Sequence, residues 1–342
     1  MTDRQEAAAL CFDIGGANLK AFHWHGEAVS VAFPMWIRPH SLADEIRSIA
    51  DRLPPTRRWG VTMTGEMADV FIDRAEGVKT IVEQVMAAAA TMGIDDVGFY
   101  ATAGQLVSAA QAITEPTRVA SANWHALAKW VSTWIQRPGL LVDIGTTTTD
   151  LIPVSPGRVD TTSRTDFDRL ARGELVYLGV SRTPICAIVD ELPFAETMIP
   201  IIRESFANTD DCALLLGWVP EDQHSTDTCD GRSREMKHAT NRIARMIGLG
   251  HHEVSVDQAR LMAAHVMHRA SQMISQAAQT HANHVSSEWI ISGHAERLIS
   301  VAPTAQAVFL SNQLGTSCSR VGPAYALYKL MENDMTGTHP CR

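Results

Sequence analysis

Two short segments of this chain carry residue types that hold phosphate: Asp13-Ile14-Gly15-Gly16-Ala17-Asn18-Leu19-Lys20 and Asp143-Ile144-Gly145-Thr146-Thr147-Thr148-Thr149-Asp150. In each, an apolar run ends in an aspartate and then turns through glycine into small amide or hydroxyl side chains. Glycine lets the backbone bend toward an anion, so Gly15, Gly16 and Gly145 can present N–H groups to phosphate oxygens. Asn18, Thr146, Thr147 and Thr148 add side-chain donors, and Lys20 adds a positive charge. Asp13 and Asp143 are suited to position Mg²⁺ through water. One such segment alone says little. Two in the same local setting imply related half-domains that face each other across a cleft and share a phosphorylated ligand.

The elements that must position these loops repeat as well. Before the first loop runs Ala7 to Phe12; after it come strand-like stretches over Leu19–Trp24 and Ala28–Phe33, joined by His25-Gly26-Glu27. The second copy has Leu140–Asp143, then Asp150–Val154, a turn at Ser155-Pro156-Gly157, and Arg158–Thr162. Such self-similarity at half-chain scale marks a duplication. Alternating apolar patterns then predict a helix after Ser41, a strand at Trp59–Met63, a helix over Val78–Met92 and a strand at Val97–Ala101. A linking helix is expected from Trp124 to Arg137. The fold class is therefore α/β, with a first half over 1–137 and a second over 138–342. The second half carries an excursion over about 164–287, with helices at Ser233–Ile247 and Ser255–Thr280, expected to form a helical subdomain. Strands at Trp289–Ser292 and Ala307–Leu310, a helix over Pro323–Glu332 and a frayed tail from Thr336 complete the order.

Composition narrows the function. The 342 residues carry 29 Lys and Arg against 38 Asp and Glu, a net charge of −9 that disfavours a nucleic-acid partner. The opening Met-Thr-Asp-Arg-Gln-Glu has no basic-then-apolar signal. No apolar run approaches the roughly 20 residues of a membrane helix. The expected location is the cytoplasm, with no membrane partner. Six cysteines show no C-x-x-C pair and read as reduced thiols. Among the fourteen histidines, His23 and His25 alternate on a strand, and His265/His268 and His281/His284 share helical faces. With no Cys or carboxylate partner at metal spacing, they read as packed or solvated side chains rather than a zinc site.

Paired D-x-G loops on duplicated β-β-β-α-β-α halves resemble the actin, Hsp70 and sugar-kinase superfamily. That resemblance implies duplicated actin-like ATPase, ribonuclease H-like domains around a ligand cleft, with Mg²⁺ near Asp13 and Asp143. The segment Trp289-Ile290-Ile291-Ser292-Gly293-His294-Ala295-Glu296 stands where the superfamily places its adenosine loop. It has a single glycine where ATP-binding members show adjacent ones, which argues against ATP. Met63-Thr64-Gly65-Glu66-Met67-Ala68-Asp69, Ser121-Ala122-Asn123-Trp124-His125-Ala126, the run from Arg172 to Pro184, Cys229-Asp230-Gly231-Arg232 and Gly322-Pro323-Ala324-Tyr325-Ala326 narrow the match. Together they resemble the hydantoinase A-related proteins of the tetrahydromethanopterin-linked one-carbon pathway.

That group includes a synthase of methanofuran biosynthesis, which condenses γ-glutamyltyramine with an aminomethylfuran diphosphate and releases pyrophosphate. The resemblance implies a transferase whose loops, joined by Gly293, hold a diphosphate beside a phenolic amine. Displacement at a furfuryl carbon needs leaving-group stabilisation, and the phenol, with a pKa of about 10, needs a base. Asp150, Glu66 and Glu174 are the candidates, in that order. Arg182 and Thr183 are candidates for the polar tail of the second substrate, and a helix entry is their alternative. Asn123 is a substrate-contact candidate whose alternative is helix capping. An ATP-dependent kinase or hydrolase of the same superfold is the competing enzyme reading, and a phospholigand-binding scaffold is the non-enzymatic one.

Overall fold

The computed structural model describes residues 8–282, 288–294, 298–299 and 306–336. The first loop lies between β1 (Ala9–Ile14), buried along its whole length, and β2 (Asn18–His23); β3 (Ala28–Ala32) completes an antiparallel meander. After helix α1 (Leu42–Ala50), β4 (Arg58–Met63) pairs parallel with β1. Helix α2 (Arg74–Met92) leads to β5 (Asp96–Ala101) and the short β6 (Gln105–Val107), giving the order β3-β2-β1-β4-β5-β6. Helices α3 (Ala109–Thr114) and α4 (Asn123–Ser132) cross to the second half. The linking helix thus stops five residues short of Arg137, where Ser132 O accepts the N–H of Gly157 from the next turn.

The second sheet repeats the plan. β7 (Gly139–Ile144) and β8 (Thr149–Ser155) flank the second loop, and β9 (Arg158–Val159) pairs with β8. This third strand is shorter than the expected 158–162, because Asp160 turns back to bond Ser155 and Arg158. Helix α5 (Asp166–Arg172) follows, and β10 (Leu175–Val176) takes up the edge of β8 beside Asp150. Next come a hairpin, β11 (Glu191–Phe194) and β12 (Thr197–Pro200), and helices α6 (Thr209–Leu215), α7 (Met236–Arg245) and α8 (Val256–Ala282). β13 (Glu288–Gly293) and β14 (Gln306–Phe309) then add in parallel beside β7. Short helices α9 (Leu310–Leu314) and α10 (Thr316–Arg320) precede α11 (Gly322–Thr336). Residues Ala295 and Glu296 of the third loop and the tail from 337 onward lie outside the described residues.

Two packing facts refine the plan. The excursion contains strands as well as helices, and its helices cover the second sheet: Val142, Ile144 and Leu151 share one buried core with Ala213, Ile243, Met262 and Ile274. Burial of that apolar face, at roughly 25 cal/mol per Å², holds the layer to the sheet. Helix α11 packs instead on the first sheet, where Ala324, Leu327 and Met331 cover Ala9, Cys11 and Phe22. Helix α2 buries Val78, Ile81, Val82 and Val85, one helical face, against the first core. Asp73 caps it by accepting the Glu76 N–H, and Gly93, at φ 69°, ends it.

Candidate active site

Strand register assembles the site. Asp13 stands opposite Lys20 on β1 and β2, and Asp143 opposite Asp150 on β7 and β8. The duplicated frame therefore puts a lysine in one half where the other has an aspartate. Both loops close the same way, with Gly15 N–H donating to Asn18 O at 3.0 Å and Gly145 N–H to Thr148 O at 2.8 Å. The loops meet: Asn18 Nδ2 is 3.5 Å from Thr146 Oγ1. Behind the second loop, Gly179 lies so close that an added Cβ would sit 2.5 Å from Thr146 C and Thr147 N. Val180, Ser181 and Arg182 N–H groups donate to the carbonyls of Gly145 and Thr146, fixing the loop from outside.

Asp13, Asp143 and Lys20 form one buried charge group. Lys20 Nζ is 4.0 Å from Asp13 Oδ2, and Asp13 Oδ1 is buried without a hydrogen-bond partner among the described residues. Burial pushes both carboxyls above their ordinary range, against the opposing pull of Lys20. Each is raised further by a second aspartate, Asp13 by Asp150 and Asp143 by Asp13. The two buried carboxyls share one ammonium, so the orphaned Asp13 oxygen could take either a proton or a cation.

A cavity of about 310 Å³ opens beside this group. Of the residues expected at the site, Gly16, Thr147, Thr148, Asp150, Asn123 and Arg182 line it. Gly293 supports the floor instead: at φ 98°, it lets β13 pass within contact of Ile144 O and Asp143, where an added Cβ would be 2.2 and 2.9 Å away. The next residue, His294, donates its N–H to Ile144 O at 2.8 Å, just as Thr64 does to Ile14 O at 2.9 Å in the first half. Burial and the nearby charges of Lys20 and Arg320 push the His294 imidazole down to about 3, so it is neutral.

The other expected residues, the base candidate Glu66 among them, do not line the cavity, and Glu174 and Thr183 are engaged by local partners instead. Glu174 turns to Thr161, whose Oγ1 lies 2.7 and 2.8 Å from its two carboxylate oxygens. Thr183 Oγ1 accepts the Gly179 N–H at 3.0 Å and so shapes the turn behind the loop. Asn123 lines the cavity, and its Oδ1 accepts the Trp124 N–H at 2.7 Å; as the first residue of α4 it does not cap the helix, whose N-cap is Ala122 with no side-chain cap bond. The Cys229–Arg232 segment also has a local role, with Asp230 accepting from the buried Arg242 at 2.9 Å.

The structure adds a carboxylate chain that sequence reasoning missed. Arg169 on α5 pairs with Asp150 and, at 2.6 Å, with Asp166, and it lies 4.9 Å from the Trp124 ring centroid. Burial raises Asp150 despite this guanidinium. Ser121 Oγ, in turn, is 2.9 Å from both Asp166 Oδ2 and Glu66 Oε1. A hydroxyl has one hydrogen, so one carboxyl must supply the other. Of the two, Glu66 is the better placed to take up this proton as the pH falls to about 6, because it is 0% exposed and burial pushes it up to about 6, whereas Asp166 faces Arg169. Ser121 holds this geometry at φ 48°, a left-handed conformation costly for serine. The signal for Asp166 and Arg169 was their i,i+3 spacing after the Thr165 capping box. At the rim, Arg182 stacks 3.9 Å from the centroid of Trp36, joining the two halves, and Tyr177 completes an aromatic wall.

Against known proteins, the chain is 28% identical over 332 residues to a Methanocaldococcus jannaschii protein named (4-{4-[2-(gamma-L-glutamylamino)ethyl]phenoxymethyl}furan-2-yl)methanamine synthase. That alignment covers 95% of this chain and 98% of the relative. A Methanococcus vannielii protein of the same name is 34% identical over 131 residues, 38% of this chain and 59% of that one. A nucleotide-free acetone carboxylase structure superposes with a TM-score of 0.52 at 9% identity, covering 94% of this chain and 70% of that one. Together with the duplicated sheets, this likeness gives the actin-like ATPase fold. Residues 57–301 match the family described as Hydantoinase/oxoprolinase, and with the match spanning most of its length, the chain belongs to the hydantoinase/oxoprolinase family.

Proposed function

We propose that this protein is a transferase of methanofuran biosynthesis, in the tetrahydromethanopterin-linked one-carbon pathway, that joins γ-glutamyltyramine to an aminomethylfuran diphosphate. The observation that carries the reading is the end-to-end likeness to a relative named as the synthase of that ether. The cleft supports it. Two phosphate-type loops meet at Asn18 and Thr146, and an aromatic wall of Trp36 and Tyr177 suits a phenol ring.

In this scheme the loops and Lys20 bind the diphosphate, and Asp13 and Asp143 would hold Mg²⁺, which fits the orphaned Asp13 oxygen and the single ammonium shared by the two carboxyls. When bound, the ion neutralises charge on the departing pyrophosphate. The furfuryl C–O bond breaks with its electron pair going to pyrophosphate, and the phenol oxygen forms the new C–O bond. Asp150, raised by burial and oriented by Arg169, takes the phenol proton. Asp166, Ser121 and Glu66 continue the chain of proton-binding groups inward.

Mass spectrometry of the purified protein incubated with Mg²⁺ and both substrates tests the proposal, beside a sample given the furan monophosphate plus ATP. The expected result is the ether and pyrophosphate in the first sample alone. ADP formation without condensation would overturn the synthase reading in favour of an ATP-dependent kinase or hydrolase.

A further inference from the structure

The turn between β2 and β3 gathers three metal-ligand side chains well away from the cleft. His23 lies three positions beyond Lys20 on β2, about 10 Å along the strand. There the chain doubles back, with His23 N–H donating to Glu27 O at 2.9 Å and Gly26 at φ 101°. This closure brings Glu27 beside the histidines, which a strand-alternation reading of His23 and His25 does not anticipate.

The hydrogen positions on His23 are constrained. Its ring is 0% exposed, and Nε2 lies 3.1 Å from Pro54 O. A carbonyl only accepts, so Nε2 carries a hydrogen and the neutral ring presents a lone pair at Nδ1. The His25 backbone N–H points at that lone pair from 3.3 Å. Yet Glu27 Oε2, also an acceptor, is 3.0 Å from the same Nδ1. Two acceptors so close need a cation to bring them together, either a proton or a metal ion. The ring of His25 supplies a third donor, and ligand atoms of His23, His25 and Glu27 all lie within 4.8 Å of one another. Trp24 lies against His25, its ring tilted by 54° with 3.8 Å between centroids, which limits where the His25 ring can turn. A backbone carbonyl on the far nitrogen is the outer partner that metal-bound imidazoles usually have.

We propose that the β2–β3 hairpin binds a divalent first-row transition ion of the Zn²⁺ class through His23 Nδ1, His25 and Glu27. Two imidazoles and a carboxylate suit such an ion and leave a coordination position for water.

The test titrates metal-free, full-length protein with Co²⁺, followed by visible absorption, and with Zn²⁺ by calorimetry, both in excess Mg²⁺ to saturate the cleft. The expected result is one ion per chain, giving d–d bands without thiolate charge transfer. His25→Ala and Glu27→Gln alter exposed side chains, so the fold survives them, and each should weaken binding at least about tenfold. Cys229→Ser should leave it unchanged. Absence of binding would overturn the proposal and leave a proton between His23 and Glu27. Binding that survives both hairpin variants would overturn it too, by placing the ion elsewhere.

Discussion

Glu66→Gln gives a direct measure of how the carboxylate chain is protonated. Glu66 is wholly buried, its Oε1 is 2.9 Å from Ser121 Oγ, and its Oε2 has no partner among the described residues. Folding lifts its pKa from the ordinary 4.5 to about 6, chiefly through burial. A carboxyl raised in the native state favours folding fully below its unfolded pKa, and that contribution is lost as pH rises through the folded value. At 1.36 kcal/mol per tenfold change, the loss is about 2 kcal/mol between about pH 4.5 and about pH 7.5. Glutamine does not titrate, and its amide can donate to Ser121 as the protonated acid does. The variant should therefore gain about 2 kcal/mol on the wild type across that window, read as the difference between urea-unfolding free energies at a series of pH values. A difference curve flat to within about 0.5 kcal/mol, or one of opposite slope, would refute the assignment of the proton to Glu66.

Three further outcomes follow from the geometry. Asp13→Asn and Asp143→Asn each preserve shape while removing charge, and should lower turnover at limiting Mg²⁺ by about 100-fold or more; unchanged turnover there would sink the metal assignment. In Gly179→Ala, the new Cβ meets backbone atoms of Thr146 and Thr147 at 2.5 Å, which cannot swing away. The KM for the diphosphate should rise at least about tenfold, with a stability loss of about 1–3 kcal/mol, and a wild-type KM would show that the loop does not bind it. Arg169→Met strands Asp150 and Asp166 without their cation and should cost about 3–5 kcal/mol in denaturant unfolding, while a loss below about 1 kcal/mol would mean that water already serves these carboxylates.

What could be read in the chain divides by the range of the interactions. The paired loops were legible because their chemistry is local: Asp, Gly and hydroxyl residues follow one another, and strand register then fixes Asp13 opposite Lys20 and Asp143 opposite Asp150. The periodicity of α2 and α8 likewise announced helices within a few residues of their ends. Periodicity does not say what an apolar stripe covers, so α7 and α8 read as a helical subdomain inserted in the second half, α6 is not read at all, and that these helices cover the second sheet is not legible. Glu174 and Thr183 were drawn to the site by their motif, but near neighbours, Thr161 and Gly179, hold their polar atoms. The Ser121 bridge was invisible for the opposite reason, since it joins Glu66, 55 positions away, to Asp166, 45 positions away, through a backbone angle no sequence pattern encodes.

The packing of α11 bears on the order in which the protein can assemble as it leaves the ribosome. Cys11 Sγ lies 3.6 Å from Met331 Sδ, a contact between residues 320 positions apart. Gly60 on β4 leaves room for that same methionine, whose sulfur would be 2.5 Å from an added Cβ. Strands β1, β2 and β4 come early in the chain, yet the helix that covers their outer face follows every other described element. Until it emerges, the nascent first sheet keeps an apolar face open to water, and covering that sheet waits on closure of a loop of 320 positions. The half that is translated first is thus among the last to be finished.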